Sequence, residues 1–265
     1  MHTDINRLFG CLWDDYVEMT PSAGKVHQLL SKGEVIINDH IALRTFNLEK
    51  VNLSVLAAHF ERLGYVDSGD YYFEAKKLQA KHFEHPDPTQ PKVFISELMV
   101  EEFSPQLQGI IKGLINQIDI DATQADNFLY SGRHWDLDFT TYEALLAESE
   151  YAAWVAAFGY RANHFTVSIN HLPGYSTILD VNETLKQGDF ILNSAGGEVK
   201  GSAEVLLEQS ATMADRIEVN FKDVQKSIPS CFYEFALRYP KADGELYSGF
   251  VAASADKIFE STNAS

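Results

Sequence analysis

A histidine and an arginine share one face of a predicted strand at residues 38–46. Apolar and β-branched residues alternate there with polar ones, and this period of two is typical of a strand. His40 and Arg44 then point to the same side, about 13 Å apart along the strand. A small anion bound at the histidine could also reach the guanidinium group. The pattern fits a metal ligand beside a carboxylate clamp, and it also fits an ordinary strand with two polar residues on a solvated face.

Two further predicted strands carry residues that could complete a metal site. One alternating strand contains His164, and the last strand contains Glu234 between two aromatic residues. A carboxylate in so apolar a strand must be paired or metal-bound, because burial of a lone charge is costly. Two histidines and one carboxylate can form a facial triad that leaves three positions open on Fe(II). The alternative for Glu234 is a salt bridge with Arg44 or Arg238 inside a barrel.

The predicted strands fall into two stretches that share one order of elements. In each stretch a strand is followed by a helix and then by about three strands, which predicts βαβββ modules at residues 35–103 and 160–240. Residues 104–159 are predicted to form a helical insert, and amphipathic helices precede the first module. We therefore expect an α+β fold in which the two modules form an open mixed barrel. The whole chain, residues 1–265, is predicted to be a single domain.

The individual elements follow from apolar spacing and from capping residues. Helices are predicted at residues 5–17, 22–33, 52–63 and 177–187, and a further helix begins at Ser104. Strands of the second module are predicted at residues 161–170, 190–193, 204–213, 216–221 and 230–239. A capping box from Thr140 to Glu143 predicts a helix start within the insert. Residues 259–265 are predicted to be a fraying tail.

The composition argues against several classes of partner. The net charge of −17 would repel both nucleic acid and an anionic membrane surface. Cys11 and Cys231 are too few for a disulfide framework or a cysteine-based metal site. The N-terminus lacks a basic region followed by an apolar run, and no apolar segment approaches ~20 residues. We expect a cytoplasmic protein, and the sequence leaves its oligomeric state open.

Two other polar clusters are candidate sites. His82 and His85 have metal-like spacing, but residues three apart on a strand face opposite ways and a proline follows, which favours a surface loop. The cluster Arg133, His134 and Trp135 could line the mouth of a pocket or cap a helix. Its role, like that of Arg238, is left open by the sequence.

Three motifs carry a resemblance to a known family. Residues 39–46 (DHIALRTF), 163–166 (NHFT) and 232–235 (FYEF) together resemble the 2-oxoadipate dioxygenase/decarboxylase family, formerly a domain of unknown function. That family resembles the vicinal oxygen chelate fold, in which paired βαβββ modules surround one metal. The resemblance covers most of the chain and identifies it as a short member. In longer bacterial members, added sequence around and after the last metal strand contributes to the substrate pocket.

The resemblance implies a function and assigns roles to the motif residues. His40, His164 and Glu234 would bind Fe(II), and Arg44 would bind a carboxylate of the substrate. The implied reaction, in lysine degradation, converts 2-oxoadipate and O2 to 2-hydroxyglutarate and CO2. The alternative is a non-redox protein of the same fold, either a metal-dependent lyase or hydrolase or a metabolite-binding protein, since fold alone does not determine chemistry.

Overall fold

The computed structural model describes residues 1–252, which form an α+β fold. The predicted tail at residues 259–265 lies outside this range. The described helices are α1 (Ile5–Met19), α2 (Pro21–Ser31), α3 (Leu53–Glu61), α4 (Pro105–Ile115), α5 (Phe139–Leu146), α6 (Glu150–Phe158) and α7 (Ile178–Gln187). The strands are β1 (Asn38–Phe46), β2 (Val66–Phe73), β3 (Leu78–Glu84), β4 (Lys92–Leu98), β5 (Ala162–Ser168), β6 (Lys200–Ser202), β7 (Leu207–Ala211), β8 (Arg216–Asn220), β9 (Gln225–Pro229) and β10 (Glu234–Arg238).

Eight of these strands form one mixed sheet in the order β2-β3-β4-β1-β5-β10-β7-β6. The first module supplies β1 to β4 with α3, and the second supplies β5, β6, β7 and β10 with α7. Each module pairs its first strand in parallel with its last, β1 with β4 and β5 with β10. The modules meet where β1 and β5 pair in antiparallel orientation at the centre of the sheet. The prediction of two βαβββ modules in an open, vicinal oxygen chelate-like barrel is confirmed.

Most helices begin at a side chain that caps the backbone. Asp4 caps α1 by accepting bonds from two backbone N–H groups, and Ser104 caps α4 in front of a proline at its first position. In α7, Thr177 and Asp180 form a reciprocal capping box. The predicted capping box in the insert is wrong, because Asp138 is the N-cap of α5. The predicted start of α2 at residue 22 is also wrong, since that helix begins at Pro21 after Thr20 as its N-cap.

The second module differs from prediction in its later strands. Residues 190–193 contribute only an isolated bridge, between Leu192 and Thr212. Residues 204–206 form a turn before β7, and β6 was not predicted. Strand β8 pairs with β9 in a separate two-stranded sheet instead of joining the main one. Alternation marks a strand but does not specify its partner, so sequence could not separate this hairpin from the main sheet.

Helix α6 of the insert is buried along its length, from Tyr151 to Phe158. Two of its side chains donate hydrogen bonds to other segments: the Tyr151 hydroxyl donates to the Ser96 carbonyl, and the Trp154 indole donates to the Ser230 carbonyl. The insert is thereby attached to strand β4 and to the segment leading into β10. None of the helices among residues 1–252 combines the length and apolar character needed to cross a bilayer.

Candidate metal centre

Three predicted residues from three neighbouring strands meet in the interior. One ligand atom each of His40, His164 and Glu234 lies within 4.8 Å of the others, and all three side chains are buried. The Nε2 atoms of His40 and His164 lie 3.5 Å and 3.4 Å from separate carboxylate oxygens of Glu234. This is the only such group of three potential ligands found among residues 1–252.

Strand register explains why these residues converge. Both His40 on β1 and Glu234 on β10 lie opposite Thr166 on β5, so the three side chains form a row across the sheet. His164 lies two residues before Thr166 and therefore projects from the same face. His40 and Arg44 are buried, at 2% and 3% exposure, so the interpretation of β1 as a strand with a solvated polar face is wrong.

Each metal-site histidine is preceded by a residue that orients it. The β1–β5 register skips Asp39 on one strand and Asn163 on the other, and both irregularities fall directly before a histidine. Such bulges redirect side chains near sites. The His40 Nδ1–H donates to Asp39 Oδ1 at 2.7 Å, and the His164 Nδ1–H donates to Asn163 Oδ1 at 2.9 Å. With protons on both Nδ1 atoms, each Nε2 carries the lone pair, and both Nε2 atoms lie close to Glu234.

The electrostatics of the pocket suit a bound cation. Burial lowers the pKa of both His40 and His164, which keeps the rings neutral. Burial raises the pKa of Glu234 to about 8, although Gln209, which donates a 2.6 Å bond to Oε1, partly opposes this. Two neutral imidazole rings and a carboxyl group therefore lie together, and a divalent cation between them would displace the carboxyl proton and stabilise the charged carboxylate. The donor set fits Fe(II) and also other divalent transition metals.

The salt bridge considered for Glu234 with Arg238 is not formed. Arg238 instead donates two hydrogen bonds to Asp39, at 2.6 Å and 2.9 Å. The Arg238 guanidinium and the His40 ring hold the pKa of Asp39 below its usual range, even though burial acts in the opposite direction. Arg238 thus belongs to the surroundings of His40.

A narrow cavity of about 20 Å³ connects the metal-site residues with Arg44. Its apolar lining includes Phe94 and Phe250, from β4 and from the segment after β10. The Arg44 guanidinium lies 5.0 Å and 5.1 Å from the ring centroids of Tyr151 and Trp154. Helix α6 therefore helps to set the position of the arginine. The short segment after β10, the strand that carries Glu234, also contributes to the pocket through Phe250.

The other clusters lie apart from this centre. His82 belongs to β3 and is buried, so its prediction as a surface-loop residue is wrong; β3 continues through Glu84 because it pairs with both β2 and β4. His85 follows the strand and bonds to the Leu63 carbonyl. The cluster at residues 133–135 fastens the insert, since Arg133 and Trp135 donate to the backbone carbonyls of other segments.

Several residues around the centre were not assigned a role from the sequence. They are Asp39, Asn163, Thr166, Gln209 and Phe250. For the first two, a signal exists in the dipeptides Asp39-His40 and Asn163-His164, an Asx residue directly before each histidine. Gln209 and Phe250 reach the site through sheet pairing and chain return, for which no short sequence pattern is diagnostic.

A family model described as 2-oxoadipate dioxygenase/decarboxylase matches residues 4–242. The chain belongs to this family. A family relative from Oryza sativa subsp. japonica, named 2-oxoadipate dioxygenase/decarboxylase, chloroplastic/amyloplastic, is 35% identical over 94% of this chain and 76% of its own length. The family resemblance inferred from the three motifs is confirmed, and with it membership of an oxidoreductase family.

Two solved structures are similar to this chain over most of its length. The hydroxyglutarate synthase from Oryza sativa, crystallised with 2-oxoadipate, is 34% identical with a TM-score of 0.89, covering 97% of this chain and 91% of its own. A protein from Shewanella frigidimarina NCIMB 400, described as a candidate hydrolase, is 74% identical with a TM-score of 0.93, covering 96% of this chain and 100% of its own. The family's fold is therefore retained throughout the matched region.

Proposed function

We propose that this protein is an Fe(II)-dependent dioxygenase that converts 2-oxoadipate and O2 to 2-hydroxyglutarate and CO2. The observation that carries the proposal is the arrangement of two histidines and a glutamate at one cavity with a buried arginine. Membership of the 2-oxoadipate dioxygenase/decarboxylase family supports the same reaction. The cytoplasm is the proposed location.

His40, His164 and Glu234 would hold the metal. Held by these three side chains, Fe(II) would supply the chemistry of binding a 2-oxo acid together with dioxygen. Asp39 and Asn163 keep the Nε2 lone pairs of the histidines directed into the cavity. Gln209 fixes one carboxylate oxygen of Glu234 through its 2.6 Å hydrogen bond. The protein thus orients its ligands before a metal arrives.

Arg44 would bind the far carboxylate of the substrate. Its guanidinium remains charged and can form two parallel bonds to a carboxylate. The aromatic rings of Tyr151 and Trp154 hold it at the edge of the cavity that also contains the metal-site residues. A 2-oxo diacid has acidic groups at both ends, so it can meet the metal and the arginine at the same time.

The cavity must enlarge when the substrate binds. Its volume of about 20 Å³ suits roughly one water molecule, far less than a six-carbon diacid requires. Phe250 lies in the segment that follows β10 rather than on a strand of the sheet. We infer that displacement of the Phe250 side chain supplies the space, and that its return would exclude water during the reaction.

An oxygen-electrode assay tests the proposal. Protein loaded anaerobically with Fe(II) should consume O2 when given 2-oxoadipate, and mass spectrometry should detect 2-hydroxyglutarate with CO2 in equal amounts. Absence of O2 uptake with every 2-oxo diacid would contradict the proposed activity.

Product analysis by mass spectrometry in the absence of O2 separates the alternatives. A hydrolase or lyase of this fold would bind a metal and convert its substrate without O2, and a metabolite-binding protein would convert nothing. The Shewanella frigidimarina structure is described as a candidate hydrolase. Turnover of the substrate should therefore also be measured without O2.

A further inference from the structure

Arg238 joins two parts of the protein that are distant in sequence. On one side its Nε and Nη2 donate to the two carboxylate oxygens of Asp39. On the other side its Nη1 donates to the carbonyls of Tyr247 and Gly249, at 2.9 Å and 2.7 Å. The residue is 4% exposed, so this interaction takes place in the interior.

The first side leads directly to the metal centre. Asp39 Oδ1 accepts from Arg238 and also from the His40 Nδ1–H. The position of the carboxylate therefore depends on both partners, and the orientation of the His40 ring depends on the carboxylate. A carboxylate that bonds the far nitrogen of a metal-binding histidine fixes both its tautomer and its orientation.

The second side leads to the cover of the cavity. The C-terminal segment, residues 239–250, returns over the site and places the Phe250 ring 4.7 Å from the His40 ring, at a near-perpendicular angle. The Phe250 ring also lies 4.9 Å from Phe94 and 5.2 Å from the Arg238 guanidinium. The Phe250 N–H donates to the Tyr71 hydroxyl. Arg238 is thus hydrogen-bonded to the C-terminal segment and also packs against the Phe250 ring.

The other histidine provides an internal comparison. Asn163 orients His164 by the same bulge and the same type of bond as Asp39 uses for His40. However, Asn163 Nδ2 has no hydrogen-bond partner among the described residues. The connection to the C-terminal segment therefore belongs to the His40 side of the centre.

We propose that Arg238 is a positioning residue that couples the C-terminal segment to the metal ligand His40 through Asp39. A shift of the segment that opens the cavity pulls on the same guanidinium that holds the Asp39 carboxylate. Orientation of His40 and closure of the cavity are then linked. The inference rests on the metal centre of the proposed function but not on the identity of the substrate.

Amide hydrogen exchange tests whether a change at Asp39 is transmitted to the C-terminal segment. Asp39→Asn preserves an oxygen acceptor for His40 but removes the charge that Arg238 binds. We expect faster exchange at residues 247–250, which Asp39 does not itself bond. The matched control is Asn163→Ala. It removes the hydrogen bond that orients His164 and should leave exchange at residues 247–250 unchanged. Unchanged exchange in Asp39→Asn, or an equal increase in the control, would overturn the coupling.

Metal binding tests the positioning role. Arg238→Lys retains a buried cation but cannot bond Asp39 and two carbonyls together, and we expect its affinity for Co(II), measured against a chelator, to fall by about 10- to 100-fold. The visible absorption of bound Co(II) should also change, which a loss of global stability alone would not cause. Arg216→Lys, at an exposed arginine of β8, is the control and should match the unmodified protein.

The outcomes separate this inference from the proposed function. If the unmodified protein binds no divalent metal, the metal centre itself is wrong. If it binds Co(II) and Arg238→Lys has the same affinity and spectrum, only the positioning role is wrong. Melting curves of the metal-free variants identify any that fail to fold, and Asp39→Asn and Arg238→Lys then serve as independent tests.

Discussion

His40 Nε2 lies 3.5 Å from Glu234 Oε1, although these residues belong to strands that do not pair with each other. Strand β5 runs between them, and its Thr166 hydroxyl donates to His40 Nε2 at 3.1 Å. The candidate metal site therefore requires both modules in correct register. A slip of one residue in β5 would turn its ligand to the opposite face.

Removal of one ligand should nearly abolish metal binding. We expect His164→Ala to lower the affinity for Fe(II) or Co(II) by more than about a hundredfold, beyond the effect of losing only an orienting partner. Equilibrium dialysis with metal analysis measures it. His134→Ala is the control, because His134 bonds to Ser131 away from the cavity. Full retention of metal by His164→Ala would remove that residue from the site.

Replacement of Arg44 should affect diacids selectively. We expect Arg44→Lys to lower kcat/KM for 2-oxoadipate by about 10- to 100-fold, because a lysine cannot reproduce the paired bonds of a guanidinium to a carboxylate. The monoacid 2-oxohexanoate lacks the far carboxylate and is the internal control. Measured oxygen uptake should show a smaller loss for the monoacid than for the diacid. Equal losses for both substrates would argue that Arg44 does not bind the far carboxylate.

The strand that carries His164 depends on aromatic packing behind it. Phe165 is buried, and its ring centroid lies 5.1 Å from that of Trp13 and 5.0 Å from that of Tyr16. Phe165→Ala should lower the free energy of unfolding by about 3–5 kcal/mol, through lost burial and a cavity. Leu179→Ala, at a leucine that is 63% exposed, should change it by less than about 0.5 kcal/mol. Urea denaturation of the metal-free proteins measures both, and a Phe165→Ala loss as small as that of the control would contradict the packing role.

Asp15 should make stability depend on pH in the mildly acidic range. Burial raises the pKa of Asp15 to about 6, although the nearby Arg161 partly lowers it. The folded protein then binds a proton more tightly than the unfolded chain, so the free energy of unfolding falls as pH rises from about 4 to about 6. Asp15→Asn should remove this contribution, up to about 3 kcal/mol. Urea denaturation across this range checks it, and an identical pH profile for Asp15→Asn would contradict the shift.

Local spacing was sufficient to predict much of the site. Alternation in β1 placed His40 and Arg44 on one face, and the motifs around His164 and Glu234 indicated the other two residues that meet His40 in the interior. Helical periodicity and caps located α1, α4 and α7. These predictions succeed because side-chain direction within a strand or helix depends on the backbone period alone.

Only the tertiary structure decided what surrounds those residues. The pairing of Arg238 with Asp39, the return of Phe250 over the cavity and the burial of His82 all depend on contacts between segments far apart in the chain. The separation of the β8–β9 hairpin from the main sheet has the same origin. A strand pattern states which face of a strand is apolar but not which strand lies beside it, because pairing is determined by the packing of the whole sheet. The sequence thus determined the candidate ligands and their faces, and the fold determined their convergence and their connection to the C-terminal segment.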